Sequence, residues 1–216
     1  MKPGFLITFE GIDGSGKSTQ AEMLHARLDR ESYPALLVRE PGGTRIAEKI
    51  RRLLLDNSHR EMDPVTEFLL YAASRAQLTG EKILPALKRG HIVICDRYID
   101  SSLAYQGFGR RVDKSFIQKV NLEATHNLLP DLTFIIDVEV QVANERASNN
   151  GPAPDRLEEE GGAFKKRVRN GYRKIAENAR DRVILMEGGA SIDELHDRVW
   201  HITLRKLKQH KYTVVQ

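Results

Sequence analysis

An α/β fold, a doubly wound parallel sheet with helices on both faces, is what this sequence predicts, and three observations point to it. Short, unalternating apolar runs rich in branched residues recur along the chain, as expected of strands buried on both faces. Segments of helical periodicity lie between them. The first run leads directly into a glycine-rich turn and then a helix, the pattern of a strand feeding an anion-binding loop. Strand and helix alternating throughout imply one sheet joined by right-handed crossovers.

The five strand candidates are residues 5–9, 35–38, 91–95, 132–138 and 182–186, each bounded by turn residues. After the glycine turn, Ala21, Leu24 and Leu28 repeat at helical spacing with charged residues opposite. Residues 46–55, 65–78, 115–129, 140–147, 163–179 and 192–207 read as helices in the same way. The stretch SNNGPAPDRLEEEGG, residues 148–162, breaks the pattern: its asparagines, glycines and prolines resist regular structure. It reads either as a flexible lid, about residues 147–161, or as a plain surface loop.

Bulk properties narrow the function classes. A chain of 216 residues with 40% hydrophobic content can bury one substantial core, so a single domain over 1–216 is expected. Net charge is +4, but 34 basic and 30 acidic residues are interspersed, which favours small anionic ligands over a nucleic-acid track. The basic cluster Arg205, Lys206, Lys208, His210 and Lys211 reads as a solvated helix end. Cys95 is the single cysteine, so no internal disulfide forms. The first apolar run is too short for a signal peptide or a membrane span, and the expected location is cytoplasmic. None of the histidines has metal-ligand spacing.

The stretch GIDGSGKST, residues 11–19, satisfies G-x-x-x-x-G-K-[ST], the phosphate loop of the P-loop NTPase fold. Its glycines let the backbone approach a phosphate, and its N–H groups and the following helix N-terminus converge on one anion. Lys17 is placed to bridge β- and γ-phosphates, and the Ser18 hydroxyl to ligate Mg²⁺. ATP or GTP is the implied occupant. A GTPase would require a base-reading N-K-x-D segment, which does not occur, and motor ATPases are generally longer, so a small nucleotide-dependent kinase fits best. REPGGT, residues 39–44, and CDRYIDSSLAYQG, residues 95–107, follow the second and third strands and should face the phosphate loop, since ligands in open parallel sheets lie beyond the carboxyl ends of strands. Asp96 stands where a carboxylate would hold Mg²⁺, and Arg97 can clamp an anion bidentately.

FEGIDGSGKST, REPGGT, YAASR, CDRYIDSSLAYQG and DRLEEE, in this order and spacing, resemble the bacterial thymidylate kinases, nucleoside monophosphate kinases that make dTDP from dTMP and ATP. The resemblance implies a five-stranded parallel sheet, ATP as phosphoryl donor, Mg²⁺ as cofactor, dTMP as acceptor and a homodimer formed through helices. It assigns Gly11, Ile12, Asp13, Gly14, Ser15, Gly16, Lys17, Ser18 and Thr19 to the ATP phosphates, and Ser18 and Asp96 to the metal. On the acceptor side it implies that Tyr71 stacks on thymine and that Arg75, one turn on, donates to a thymine carbonyl; read without the family, Tyr71 would be ordinary core and Arg75 an exposed charge. Gln106 is implied to pair with the base edge, Ser102 to lie near the 5-methyl group and Tyr105 to exclude a 2′-hydroxyl. Arg51 and Arg97 are implied to hold the acceptor phosphate, Asp13 to contact the 3′-hydroxyl, and Glu40 and Pro41 to line the site.

The acceptor phosphate is already ionised, so no general base is required and repulsion between anions is the barrier. Two unit charges about 4 Å apart repel by roughly 4 kcal/mol at an effective dielectric near 20. Lys17, Mg²⁺, Arg97 and a lid cation would offset this. One branch of the family carries a catalytic arginine in the phosphate loop and the other supplies it from the lid; Gly14 and Ser15 place this chain with the lid branch. Arg156 is the first candidate for that cation and Arg146 the second. Two further readings stay open: a kinase for another (deoxy)nucleoside monophosphate, and an ATP-binding switch without phosphoryl transfer.

Overall fold

The five apolar runs become β1 (Phe5–Glu10), β2 (Ala35–Arg39), β3 (Ile92–Asp96), β4 (Leu132–Asp137) and β5 (Val183–Glu187) of one sheet, ordered β2-β3-β1-β4-β5 with every pairing parallel. The computed structural model describes residues 4–150, 155–157, 159–210 and 212. Of the expected lid, residues 151–154 and 158 lie outside the described residues. The helices are α1 (Lys17–Arg30), α2 (Arg45–Leu55), α3 (Pro64–Leu78), α4 (Leu84–Lys88), α5 (Ile99–Ser102), α6 (Lys114–Ala124), α7 (Val140–Asn150), α8 (Gly162–Asn178) and α9 (Ile192–Gln209).

Alternation along β1 divides the core into two layers, because successive side chains in a strand point to opposite faces. Phe5, Ile7 and Phe9 pack with Ala21, Leu24 and Leu28 of α1 and with Leu195, Val199 and Trp200 of α9. Leu6 faces the other way, into a cluster with Leu78, Ile83, Ala86 and Tyr98. A further cluster joins Ile135 of β4 to Phe164, Val168 and Tyr172 of α8. Glu10, on the same side of β1 as Leu6, is a fully buried carboxylate.

Two segments depart from expectation. Residues 95–107, read as a loop, are helical from Ile99: α5 runs on into a π-helical stretch, Leu103–Gly109, whose wider turns pack against α8. The helix expected to reach residue 129 stops at Ala124, where His126 and Asn127 take positive φ values of 53° and 59° that no helix accommodates. Another π-helical turn, Thr79–Ile83, and α4 carry the chain from α3 to β3, a connection the periodicity did not single out.

The register aligns the functional ends. Phe9 and Arg39 both pair with Asp96, so β1, β2 and β3 finish at one level. The chain leaves β1 toward β2 on one side and β3 toward β4 on the other, which puts the topological switch between β1 and β3, where a ligand crevice is expected.

Candidate active site

The loop between β1 and α1 forms one wall of a cleft of about 780 Å³, lined by residues 13–20 and, opposite, by Arg146, Ala147, Gly188, Ala190, Ser191, Ile192 and Leu195. Gly16 caps α1 with φ 95°, a conformation open to glycine, and the free N–H groups of the first helical turn follow it. Gly14 has φ 78°, and a Cβ there would lie 2.0 Å from the Ala143 carbonyl oxygen of α7. No arginine can stand at that position without moving α7. Ser18 Oγ donates to Asp96 Oδ2 at 2.6 Å, while Asp96 Oδ1 is buried without a partner among the described residues. A hydroxyl beside a carboxylate with an unused oxygen is a hard donor pair that suits Mg²⁺, which keeps several waters and takes few protein ligands.

A second, narrower pocket of about 110 Å³ adjoins the first and is lined by residues that include Glu40, Pro41, Arg51, Tyr71, Ser102, Tyr105 and Gln106. Asp13 lines both. Its carboxylate accepts from Lys17 Nζ at 3.2 Å, Arg97 Nη2 at 2.5 Å and the Tyr105 hydroxyl at 3.0 Å. Burial opposes the charge on Asp13, yet the Arg97 and Lys17 cations beside it hold the carboxyl well below the usual carboxylate range.

Arg97 opens the turn after β3 with φ 71°, a strained value for a residue with a side chain, and its backbone N–H donates to the Phe9 carbonyl at 2.9 Å. Its guanidinium reaches the Gly11 carbonyl at 3.1 Å, Ser101 Oγ at 3.2 Å and the Tyr172 hydroxyl at 3.3 Å. Behind these partners stands Glu10, which accepts from Ser101 Oγ at 2.6 Å and from the Tyr172 hydroxyl at 2.9 Å. Burial, with Asp100 nearby, pushes the Glu10 carboxyl up to about 7 against the pull of its hydrogen bonds and of Arg97. Arg51 donates to the Pro41 carbonyl at 2.9 Å, tying α2 to the REPGGT turn.

Arg75, which the family resemblance implies donates to a thymine carbonyl, is 1% exposed, and its guanidinium donates to Glu40 at 2.8 Å, to Ser102 and Asn121 at 2.9 and 2.6 Å, and to the Tyr98 carbonyl at 2.9 Å. It braces two pocket residues from behind. Arg156, the first candidate for the lid cation, is turned away from the phosphate cleft. It is buried against α2 and α3, donating to Glu67 Oε2 at 2.7 Å and to the Leu54 carbonyl at 3.1 Å. Glu67 is itself wholly buried, and a buried carboxylate left without this cation would be strongly destabilising. Arg146, the second candidate, lines the donor cleft and donates to the Gly188 carbonyl at 3.1 Å.

Sequence reasoning missed Glu10, Glu67, Ser101, Arg110 and Tyr172. A signal existed for two of them. Glu10 is a charged residue ending a wholly buried strand, and Glu67 precedes Tyr71 by four positions and Arg75 by eight, on one stripe of α3.

Known proteins resemble this chain along most of its length. The family described as thymidylate kinase matches residues 9–199. A thymidylate kinase from Caldanaerobacter subterraneus is 47% identical over 196 residues, covering 91% of this chain and 93% of that one, and one from an Exiguobacterium species is 43% identical over 206 residues, covering 95% and 97%. The crystal structure of thymidylate kinase from Ehrlichia chaffeensis superposes with a TM-score of 0.76 at 36% identity, covering 94% of this chain and 99% of that one. A family match over residues 9–199, relatives 43–47% identical along nearly the whole chain and a solved structure with the same fold show that this chain belongs to the thymidylate kinase family.

Proposed function

We propose that this chain, acting as one kinase domain, transfers the γ-phosphoryl group of ATP to the phosphate of dTMP, giving dTDP and ADP. The observation that carries the reading is Asp13, shared by the phosphate-loop cleft and the acceptor pocket and bonded to a cation from each, Lys17 and Arg97. A lysine for the donor phosphates and an arginine for the acceptor phosphate meet there, as in-line transfer between two anions demands.

Lys17 and the loop N–H groups of residues 14–19 would hold the β- and γ-phosphates, and Arg97 with Arg51 the acceptor phosphate. As a phosphate arrives, Arg97 and Lys17 would exchange part of their bonding to Asp13 for the ligand. Arg146 is the better supported lid cation, because it lines the donor cleft while Arg156 is engaged with Glu67. Ser18 and Asp96 would hold Mg²⁺, which supplies charge neutralisation at the phosphate oxygens. Tyr71, a wall of the acceptor pocket, would stack on the base, and Tyr105, bonded through its hydroxyl to Asp13 and Arg97, would crowd a 2′-hydroxyl. Association of two copies is supported by the apolar side chains Leu53, Val65, Leu69, Phe116 and Leu122, exposed on α2, α3 and α6, helices that pack side by side.

The test is a coupled assay of ADP release with dTMP, dUMP, dCMP and ribothymidine monophosphate, with and without Mg²⁺. Magnesium-dependent turnover greatest with dTMP is expected. Faster turnover of another nucleotide would move the assignment to that nucleotide, and ATP binding without dTDP would reject the kinase reading.

A further inference from the structure

Beside the base-contacting wall of the acceptor pocket lies a buried charge cluster that the phosphoryl transfer does not use. Glu67 of α3 is wholly buried, and its carboxylate is saturated. Oε1 accepts from Gln106 Nε2 at 2.9 Å and Arg110 Nε at 3.3 Å, while Oε2 accepts from Arg156 Nη1 at 2.7 Å and Arg110 Nη2 at 3.1 Å. Glu160 bonds the outer side of Arg110. In all four of these bonds the carboxylate is the acceptor, and a carboxylate that only accepts can face only the NH₂ end of a carboxamide. The orientation of Gln106, normally ambiguous between its oxygen and nitrogen, is therefore dictated by charge. Gln106 Nε2 is thus committed to Glu67, and Gln106 lines the acceptor pocket with Tyr71, Ser102 and Tyr105.

We propose that Glu67 is the positioning residue for base selection: by holding the Gln106 carboxamide with its oxygen toward the pocket, it makes the site take pyrimidines that carry an N–H at ring position 3 and reject those with a lone pair there. This rests on the nucleotide-kinase reading above. Thymine and uracil carry that N–H, and cytosine carries the lone pair. An acceptor set against another acceptor leaves both buried and unpaired, the kind of mismatch by which polar sites discriminate strongly.

Glu67→Gln tests the idea, because the new side chain would turn its oxygen to the two arginines and its NH₂ to Gln106. Gln106 would then flip and offer its own NH₂ to the pocket. Measured as kcat/KM, the preference for dTMP over dCMP is expected to fall at least tenfold, while the preference for dTMP over dUMP, both of which carry the N–H, stays within about twofold. A purely structural role would lower dTMP and dCMP turnover together, and an unchanged ratio overturns the proposal. If Glu67→Gln does not fold, Gln106→Met decides: it removes the acceptor, the same ratio should collapse, and a preserved ratio overturns the proposal. Wild-type protein inactive on dTMP would instead reject the kinase reading. The inference would then be read from the dTMP and dCMP dissociation constants of the same variants, with equal ratios in wild type and variants counting against it.

Discussion

The phosphate-loop cleft takes one entire wall from eight consecutive residues, 13–20, two of them glycines with positive φ. The second pocket gathers side chains from Asp13 to Leu157, Glu40 among them, and behind them stand charges that are almost wholly dry: Glu10, Glu67, Arg75 and Arg156. A polyphosphate can be gripped by any well-aimed array of N–H groups. Distinguishing one nucleotide from its relatives requires polar side chains held in one orientation, and the buried ion pairs supply that hold. Change on the donor side should therefore act on turnover, and change on the acceptor side on stability and selectivity together.

Lys17→Met should show the largest effect and confirm the donor half of the contrast. Losing a preorganised charge on the transferring group lowers kcat by about 10² to 10³ fold. Steady-state kinetics should show this with little movement of the thermal midpoint; a fall in midpoint of many degrees would break the contrast. Arg156→Ala should do the reverse. It leaves Glu67 with Arg110 as its one remaining guanidinium and should cost about 3 kcal/mol in a urea titration, at the lower end of the range for breaking a buried pair. A kcat loss beyond tenfold with unchanged stability would return Arg156 to the role of transferring-group cation.

Gly14→Ala sharpens the boundary between the halves. Positive φ alone costs about 1–2 kcal/mol for a residue with a Cβ, and the contact with the Ala143 carbonyl adds to it. ATP affinity and thermal stability should fall together, measured by calorimetry and melting; unchanged values would show that α7 gives way freely.

The smallest effect expected is a pH slope from Glu10. Its carboxyl is raised from 4.5 to about 7, so between those values the folded protein keeps a proton that the unfolded chain has released. Stability from this group is present at low pH and is lost as pH rises through about 7. Asp13, shifted the other way, loses its contribution only in acid, so it does not mask the slope. Melting curves of wild type and Glu10→Gln between pH 5 and 8 should diverge in slope, the variant being the flatter. Parallel curves would refute the assignment.

The same contrast explains what was legible in the sequence. Parallel strands buried on both faces are continuous apolar runs, and the phosphate loop is a contiguous motif, so sheet, loop and donor cleft could be read directly. The pairing of Glu67 with Arg110 and Arg156 joins positions 43 and 89 apart, and no local pattern announces it. Arg156 reads as a lid residue because it follows a glycine- and proline-rich stretch; its depth depends on contacts with Leu54 of α2 and Glu67 of α3. Helical periodicity of 3.6 fails in the π-helical stretch Leu103–Gly109, so residues 95–107 read as a loop, though α5 and this stretch bring Ser102, Tyr105 and Gln106 to one wall. Tyr71 and Gln106, for which the family resemblance implies contacts to the base, line one and the same pocket.

The close approach of Gly14 to the Ala143 carbonyl also bears on how such an enzyme can evolve. A lineage with this packing cannot place an arginine at position 14 by one substitution without displacing the root of α7, so that route to a loop cation is closed by a steric step.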